Sequence, residues 1–263
     1  MSITKTALDL IRQKKIKELL KGILSFIERK TGIINFIERK TGIISLILMP
    51  YILIKINKMQ SAKEVMDELY KDSLLGYLYR PIQIREELEA LINILEKNKP
   101  RYVLEIGTAR GGTLLLWTRA ASAKATIISI DLPGGPFGGG YPWLRSIIYK
   151  KWSKNRQRII LIREDSHRVE TLKKVKEILG KAKLDFLYID GDHTYEGVKK
   201  DFEMYAPLVK RGGIIAFHDI VPGSLEKVGG VPKFWNEIKY NFYFKEIVKD
   251  QNQGGYGIGV IYV

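Results

Sequence analysis

From about residue 100 onward, the hydrophobic positions fall into short apolar runs, each followed by a stretch with helical spacing. Such runs predict strands that are buried on both faces, because the helices between them cover both faces of a parallel sheet. The five runs are "YVLEIG" (102–107), "TIISID" (126–131), "RIILIRED" (158–165), "LDFLYID" (184–190) and "GIIAFHDI" (213–220). The pattern therefore predicts a doubly wound α/β domain with a mainly parallel sheet.

Two more strand-like runs, "YFKEIVKD" (243–250) and "YGIGVIYV" (256–263), follow this alternating region. The five residues "QNQGG" between them are a connection short enough for an antiparallel hairpin. We therefore expect a seven-stranded sheet whose C-terminal part is antiparallel.

The first sixty residues have a different pattern, and we expect a basic, amphipathic, helical extension over 1–60 before a catalytic domain over 61–263. Apolar residues recur with helical spacing between Ile16 and Leu24, and "FIERKTGII" occurs twice, at 26–34 and 36–44. The most apolar stretch, 43–54, is too short to span a bilayer. It is explained by packing on its own domain or on a partner chain, or by peripheral membrane contact through residues 1–56. Ser61 and Glu64 have the spacing of a helix capping box.

The cysteine content and the distribution of charge exclude or disfavour some kinds of function. The chain of 263 residues has no cysteine, which excludes a disulfide framework, a thiol nucleophile and thiolate-bound metal. Of the formal net charge of +15, residues 1–60 carry +8. A basic excess at one end favours an anionic surface, such as a membrane or another protein, over nucleic acid. We expect a cytoplasmic protein that forms a homo-oligomer, and peripheral membrane contact through this segment stays open as an alternative.

Polar residues stand where each of the five parallel strands ends. They are Glu105 with Gly107, Asp131, Asp165, Asp190, and His218 with Asp219. Any single acid at a strand end is explained equally well as a cap of the following helix. Because ligands of open α/β sheets bind beyond the carboxyl ends of the strands, acids on all five strands predict one shared crevice.

The glycine turn "EIGTARGG", 105–112, indicates what the crevice binds. Its spacing is G-x-x-x-G-G, which is neither the G-x-G-x-x-G of dinucleotide folds nor a phosphate-binding P-loop. A pyrophosphate clamp is therefore disfavoured. Asp131 at the end of the next strand is suited to accept hydrogen bonds from ribose hydroxyls. The combination favours a nucleoside without a phosphate.

Four motifs together, "VLEIGTARGGT", the acid of "ISID", "DFLYIDGDHTYEGVKKD" and "RGGIIAFHDI", resemble those of class I S-adenosylmethionine-dependent methyltransferases. The resemblance covers about residues 80–263. It is to the small-molecule O-methyltransferases related to cephalosporin-hydroxylase-like, macrolide-sugar and catechol methyltransferases. It implies a Rossmann-like methyltransferase fold and S-adenosylmethionine as cofactor. The implied cofactor-binding residues are Glu105, Gly107, Thr108, Ala109 and Gly111 near the amino-acid part, Asp131 at the ribose, and Asp165 and Ser166 beside the adenine.

The same resemblance suggests roles for the residues after the fourth and fifth strands. A hydroxyl acceptor must lose a proton, which calls for a base, a metal ion or both. The metal-dependent relatives imply that Asp190, His218 and Asp219 hold a divalent cation, Mg²⁺ or Mn²⁺, and that His193 is the base, acting beside Asp190. His218 departs from the acid or amide usual in these relatives. Alternatively, His193 only caps the following helix together with Asp192 and Thr194, and His218 is a packed residue near the site.

The glycine-rich link 132–154 carries Tyr141, Trp143, Tyr149 and Trp152, and we expect a mobile lid that brings aromatic groups to the acceptor, or else an oligomer contact.

The predicted function is O-methyl transfer to a hydroxyl of a small molecule or sugar, assisted by a metal ion. The alternatives are an RNA-modifying methyltransferase and a non-catalytic, membrane-peripheral binding protein.

Overall fold

The structure is a computed structural model, and it describes residues 31–134 and 140–263. Its centre is one seven-stranded sheet with the strand order β3-β2-β1-β4-β5-β7-β6. The strands are β1 (Tyr102–Ile106), β2 (Thr126–Ile130), β3 (Arg158–Ile162), β4 (Leu184–Ile189), β5 (Val209–His218), β6 (Tyr243–Ile247) and β7 (Ile258–Tyr262). The first five strands pair in parallel, whereas β7 is antiparallel to both β5 and β6. The predicted doubly wound sheet and its C-terminal hairpin are confirmed.

Helices cover both faces of this sheet. In chain order they are α1 (Thr31–Thr41), α2 (Ile43–Ile47), α3 (Met49–Lys58), α4 (Ala62–Leu69), α5 (Leu74–Tyr79), α6 (Arg85–Asn98), α7 (Gly112–Ala120), α8 (Trp143–Tyr149), α9 (Val169–Leu179), α10 (Tyr195–Tyr205), α11 (Leu225–Val228) and α12 (Val231–Ile238). Successive strand residues point to opposite faces, so Val103 joins the core under α3–α8 while Leu104 joins the core under α9, α10 and α12. This explains why the strands are apolar along their whole length.

The sheet has a topological switch point between β1 and β4. The chain runs outward from β1 through β2 to β3, and then returns to place β4 on the other side of β1. The connections that leave β1 and β4 therefore diverge to opposite sides, which opens a crevice at their carboxyl ends.

The N-terminal helices pack on the sheet domain. Ile52 and Ile56 of α3 are fully buried in the core under α3–α8, and Glu38 of α1 forms a buried ion pair with Arg145 of α8. The Ser61–Glu64 capping box is present at the start of α4. The predicted helix at 16–24 and most of the first "FIERKTGII" copy lie outside the described residues, and the boundary at residue 61 remains a prediction. In the part of the chain that the structure describes, no helix is long and apolar enough to cross a membrane.

Candidate active site

The glycine turn after β1 passes very close to the end of β4. Gly107 has φ +93°, and a Cβ at this position would lie 1.8 Å from the backbone oxygen of Asp190. The Gly107 N–H donates to Ile130 O at 2.9 Å, which holds the turn against β2. Only glycine fits here, because a side chain would both strain the backbone and force the two strand ends apart.

Asp131, at the end of β2, fixes the next part of the turn. Its Oδ2 accepts hydrogen bonds from the backbone N–H of Thr108 at 3.2 Å and of Ala109 at 2.8 Å. Burial raises the pKa of Asp131 to about 6, although the backbone donors act in the opposite direction. Ala109 is held at φ +43°, a conformation that a side-chain-bearing residue rarely adopts. The predicted cofactor residues Thr108, Ala109 and Asp131 are thus joined in one hydrogen-bonded unit.

Gly111 supports the turn from below. A Cβ on Gly111, which has φ +81°, would lie 2.6 Å from the Tyr149 ring, and the Tyr149 hydroxyl donates to Arg110 O at 2.8 Å. Gly111 is therefore needed for packing and lines neither of the cavities described below.

The prediction that the aromatic residues of the link 132–154 face the acceptor is wrong for Tyr141, Tyr149 and Trp152, which are buried in the core. The lid itself includes 135–139, outside the described residues.

Glu105, the acid of β1, is also buried beneath the turn. Its Oε1 accepts hydrogen bonds from the Thr113 hydroxyl and from Trp117 Nε1, the latter at 2.8 Å, and it lines neither cavity. Burial raises the pKa of Glu105 to about 8, against the effect of these two donors. The structure therefore puts this predicted cofactor-binding residue beneath the crevice rather than in its wall.

Two cavities lie along the crevice. The smaller one, of about 170 Å³, is lined by Asp131 together with Asp165, Ser166 and His167 from the loop after β3. The His167 Nε2 lies 3.3 Å from the buried Asp201 of α10, which raises the pKa of His167 against the effect of burial. The predicted ribose and adenine residues thus share one pocket.

The larger cavity, of about 610 Å³, adjoins the smaller one, and Gly107, Ala109 and Asp190 line both. Asp131 and Asp190 therefore open into the same crevice. The larger cavity is lined by the loop 80–83, the glycine turn, the residues that follow β4 and β5, and two later segments, 226–228 and 255–256.

Four ionisable residues meet at the bottom of the larger cavity. Asp190 Oδ1 lies 3.1 Å from His218 Nδ1 and 3.4 Å from His193 Nε2. Asp219 Oδ2 lies 3.3 Å from His193 Nδ1 and 3.4 Å from His218 Nδ1. The structure thus brings together all four residues that the sequence predicted as the metal ligands and the base.

Mutual attraction dominates the ionisation of this cluster. Burial alone would raise the pKa of Asp190, but His218 and His193 lower it to about 2. Burial alone would likewise lower the pKa of both imidazoles. Asp190 and Asp219 instead raise the pKa of His193 to about 9 and that of His218 well above its usual value. Asp190 and the two imidazoles therefore each favour their charged form in this cluster.

The orientation of His193 is set by the chain that follows β5. Its Nδ1 lies 2.9 Å from Lys227 O, and because a carbonyl only accepts hydrogen bonds, Nδ1 is the donor. In the neutral ring the lone pair is then on Nε2, the atom nearest Asp190. The alternative role as a helix cap belongs to Thr194, whose hydroxyl accepts the Gly197 N–H at 2.9 Å.

The cluster fits a divalent cation. Ligand atoms of Asp190, His193 and Asp219 all lie within 4.8 Å of one another, and two carboxylates with an imidazole are donors that Mn²⁺ and related ions accept. His218 Nε2 is buried without a hydrogen-bond partner, so this ring is a second imidazole available at the same place.

Residues from distant segments complete the site, and the sequence analysis missed them. Gln83 Nε2 donates to Asp190 Oδ2 at 2.8 Å. Buried Glu87 accepts the N–H groups of Lys249 and Gly257, each at 3.0 Å, which holds the loop before β7. That loop in turn gives the Tyr256 N–H to Asp219 Oδ1 at 3.0 Å. No local motif marks these residues, because each acts through a contact far along the chain.

Backbone strain is concentrated around the larger cavity. Five non-glycine residues of the described chain have positive φ, and three of them line this cavity: Ala109, Asp219 and Tyr256. Such conformations persist where the surrounding contacts fix them, and they are common at functional sites. The strained backbone and the cluster of charged side chains therefore lie at the same cavity.

Comparison with known proteins agrees with this geometry. Residues 104–220 match a family described as a methyltransferase domain. The uncharacterized protein R132 of Acanthamoeba polyphaga mimivirus is 34% identical over 132 residues, which are 50% of this chain and 57% of that protein. The uncharacterized protein y4gI of Sinorhizobium fredii (strain NBRC 101917 / NGR234) is 25% identical over 53% of this chain and 15% of its own length. The match thus spans less than two thirds of these relatives.

Solved structures share the fold. The O-methyltransferase from Bacillus cereus, in complex with SAH, superposes with a TM-score of 0.55 at 16% identity, covering 76% of this chain and 90% of that one. The O-methyltransferase TomG from Streptomyces achromogenes, involved in tomaymycin synthesis and in complex with SAM, gives 0.50 at 16% identity, covering 79% and 88%. The fold and the matched domain agree with the predicted resemblance to class I S-adenosylmethionine-dependent methyltransferases. The predicted fold and the resemblance to methyltransferases are confirmed, whereas the activity and the cofactor are proposals for this chain.

Proposed function

We propose that the protein transfers a methyl group from S-adenosylmethionine to a hydroxyl of a small molecule or sugar, with assistance from a divalent cation. One observation carries the proposal. The cluster of Asp190, His193, His218 and Asp219 lies in the same crevice as the Asp131 pocket, and the two cavities share Asp190. A cavity of about 610 Å³ is of the size that takes a small ligand.

The chemistry assigns a task to each part of the cluster. When bound, S-adenosylmethionine supplies a methyl group whose bond to sulfur breaks as the acceptor oxygen bonds to carbon, so the hydroxyl must also lose its proton. His193 takes this proton on Nε2, while Lys227 O holds the other ring nitrogen. Asp190 and Asp219 stabilise the imidazolium that results. The rest of the task is positioning, which the turn held by Asp131 supports.

The cation would lower the pKa of the acceptor hydroxyl. Asp190 and Asp219 supply oxygens in any arrangement, but His193 Nε2 serves either as base or as ligand. We assign His218 as the third ligand and His193 as the base. Calorimetric titration with Mn²⁺ tests the assignment: His218→Ala should weaken binding at least tenfold and His193→Ala by less than threefold. The reverse order would make His193 the ligand.

Methyl transfer itself is tested with S-adenosylmethionine labelled at the methyl group and a panel of hydroxylated small molecules and sugars. We expect label on oxygen, and a rate that falls about 10²–10⁴-fold in His193→Ala, the usual contribution of a general base. The variant should bind S-adenosylhomocysteine normally, because His193 does not line the smaller cavity. Label on nitrogen, carbon or RNA, or an unchanged rate in the variant, would contradict the proposal.

We also propose peripheral contact of the N-terminal region with an anionic membrane. Large apolar side chains of α1 and α3, with the segment between them, are exposed, among them Phe36 at 64%, Ile47 at 65% and Ile54 at 57%. They belong to the segment 1–60 that carries a net charge of +8. Apolar groups beside an excess of lysine and arginine are typical of interfacial attachment.

Co-sedimentation with vesicles tests this contact. Binding should require phosphatidylserine, weaken with salt, and fall at least fivefold in Ile47→Glu/Ile54→Glu, whereas Val169→Glu, at an exposed position of α9, serves as the control. A protein that ignores such vesicles, or that only self-associates through this face, would overturn the proposal.

A further inference from the structure

The second copy of the duplicated segment, 36–44, is joined to the sheet domain through one carboxylate. Glu38, on α1, is buried, and its Oε1 accepts a hydrogen bond from Arg145 Nε of α8 at 3.0 Å. Its Oε2 accepts the backbone N–H groups of Ile44 at 2.9 Å and Ser45 at 3.1 Å. Gly42 of the same copy packs on α8, since a Cβ there would lie 3.1 Å from Arg145 Cγ. This copy is therefore an integral part of the fold.

Arg145 connects this ion pair with Tyr149. The two residues are four positions apart on α8, so their side chains are neighbours on one face of the helix. Burial raises the pKa of the Tyr149 hydroxyl to about 12, although the charge of Arg145 and a hydrogen bond from it act in the opposite direction. Glu38 thus fixes the cation that lies beside this hydroxyl.

Tyr149 in turn contacts the glycine turn. Its hydroxyl donates to Arg110 O at 2.8 Å, and its ring fills the place that a Cβ on Gly111 would need. The ring is fully buried and packs on Trp152, with 4.4 Å between the ring centres. Arg110 lines the larger cavity. A continuous series of contacts therefore leads from α1 to the cavity wall.

We propose that Glu38 is a positioning residue for the glycine turn, and that the second copy of "FIERKTGII" thereby supports cofactor binding. The proposal rests on the proposed methyl transfer. Glu38 lies outside residues 104–220, which match the methyltransferase domain, so this role belongs to the N-terminal extension. Without the Glu38 carboxylate, Arg145 would be a buried charge without its acid. The hydroxyl that holds Arg110 O would lose its fixed neighbour, and a turn that is less well ordered before binding lowers affinity.

Calorimetry with S-adenosylhomocysteine tests the proposal on the full chain. Glu38→Gln keeps the size of the side chain and removes its charge, and it should weaken binding about 5- to 10-fold, the contribution of one hydrogen bond. Glu38→Asp keeps the charge and should fall between Glu38→Gln and the wild type. The duplication supplies the matched control, because Glu28→Gln makes the same change in the first copy, outside the described residues. This control should leave the affinity unchanged.

Tyr149→Phe distinguishes positioning of the turn from a general loss of stability. It removes only the hydroxyl that holds Arg110 O, and it should weaken S-adenosylhomocysteine by a similar factor. Because Glu38 acts through Tyr149, adding Glu38→Gln to Tyr149→Phe should weaken binding little further. The loss of stability caused by Glu38→Gln, measured by urea unfolding, should persist in the double variant.

The proposal is refuted if Glu38→Gln and Glu28→Gln bind S-adenosylhomocysteine equally well, or if the effects of Glu38→Gln and Tyr149→Phe on affinity simply add. If Glu38→Gln does not fold, Glu38→Asp and Glu28→Asp take the places of the two glutamine variants, and the same criteria apply. A wild type that does not bind S-adenosylhomocysteine would be a different result, which contradicts the proposed function and this inference with it.

Discussion

The smaller cavity is lined by residues at the carboxyl ends of β1 to β4 and in the connections that follow them, whereas the larger cavity is also lined by more distant segments, 80–83, 226–228 and 255–256. Asp131 and the turn Gly107–Ala109 represent the first kind. His193, held by Lys227 O, and Asp219, held by Tyr256 N–H, represent the second. In the proposed methyl transfer, this difference separates two tasks, since a constant cofactor needs a rigid frame and a particular acceptor needs particular groups.

The largest expected effect comes from Gly107→Ala, because Gly107 lines both cavities. A Cβ 1.8 Å from Asp190 O forces β1 and β4 apart, and we expect the free energy of unfolding to fall by about 3–5 kcal/mol. Gly212→Ala is the matched control, with φ +74° and no atom within 4 Å of its Cβ, and should cost about 1 kcal/mol. Urea unfolding measures both. Equal losses would show that strain alone, and not the close approach, makes Gly107 necessary.

The next largest effect is a difference between the two cavities in their response to pH. Because Asp190 and Asp219 raise the pKa of His193 to about 9, the neutral imidazole that accepts a proton is scarce at pH 7. Without added divalent cation, methyl transfer should rise about tenfold per pH unit from pH 7 towards pH 9. S-adenosylhomocysteine affinity, measured over the same range, should stay nearly constant. A rate that levels off near pH 7 would contradict the proposed base.

The smallest effect concerns Glu105, which the sequence assigned to the cofactor and the structure buries below the turn. Its raised pKa means that the folded protein holds a proton that the unfolded chain releases, so stability is lost as the pH rises from about 4.5 to about 8. Between pH 5 and pH 8, the free energy of unfolding should fall by about 2 kcal/mol less in Glu105→Gln than in the wild type. Urea unfolding at the two pH values measures this difference. Cofactor affinity should change less than threefold. A tenfold loss of affinity would restore the predicted contact.

The parts of the fold and of the site that could be predicted from the sequence are those marked by local patterns or by strand ends. The strands, the glycine turn and Asp131 were predictable because apolar runs and turn spacing are local signals. The convergence of Asp190, His193, His218 and Asp219 was predictable because strand ends meet at one edge of a parallel sheet. The contributions of Gln83 and Glu87 were not, since they depend on how α6 packs against loops more than one hundred residues away. The spacing of the motif also does not show that Glu105 and Gly111 lie beneath the turn and outside the cavity walls.

The most direct test of the account is calorimetric titration of S-adenosylhomocysteine into the wild type and into Asp131→Asn, with the exposed Asp72→Asn as control. We predict micromolar affinity for the wild type and for Asp72→Asn, and binding at least tenfold weaker for Asp131→Asn, because the turn and the pocket both depend on this carboxylate. No binding by the wild type, or equal affinity in all three proteins, would contradict the claim that the crevice beside Asp131 holds the nucleoside.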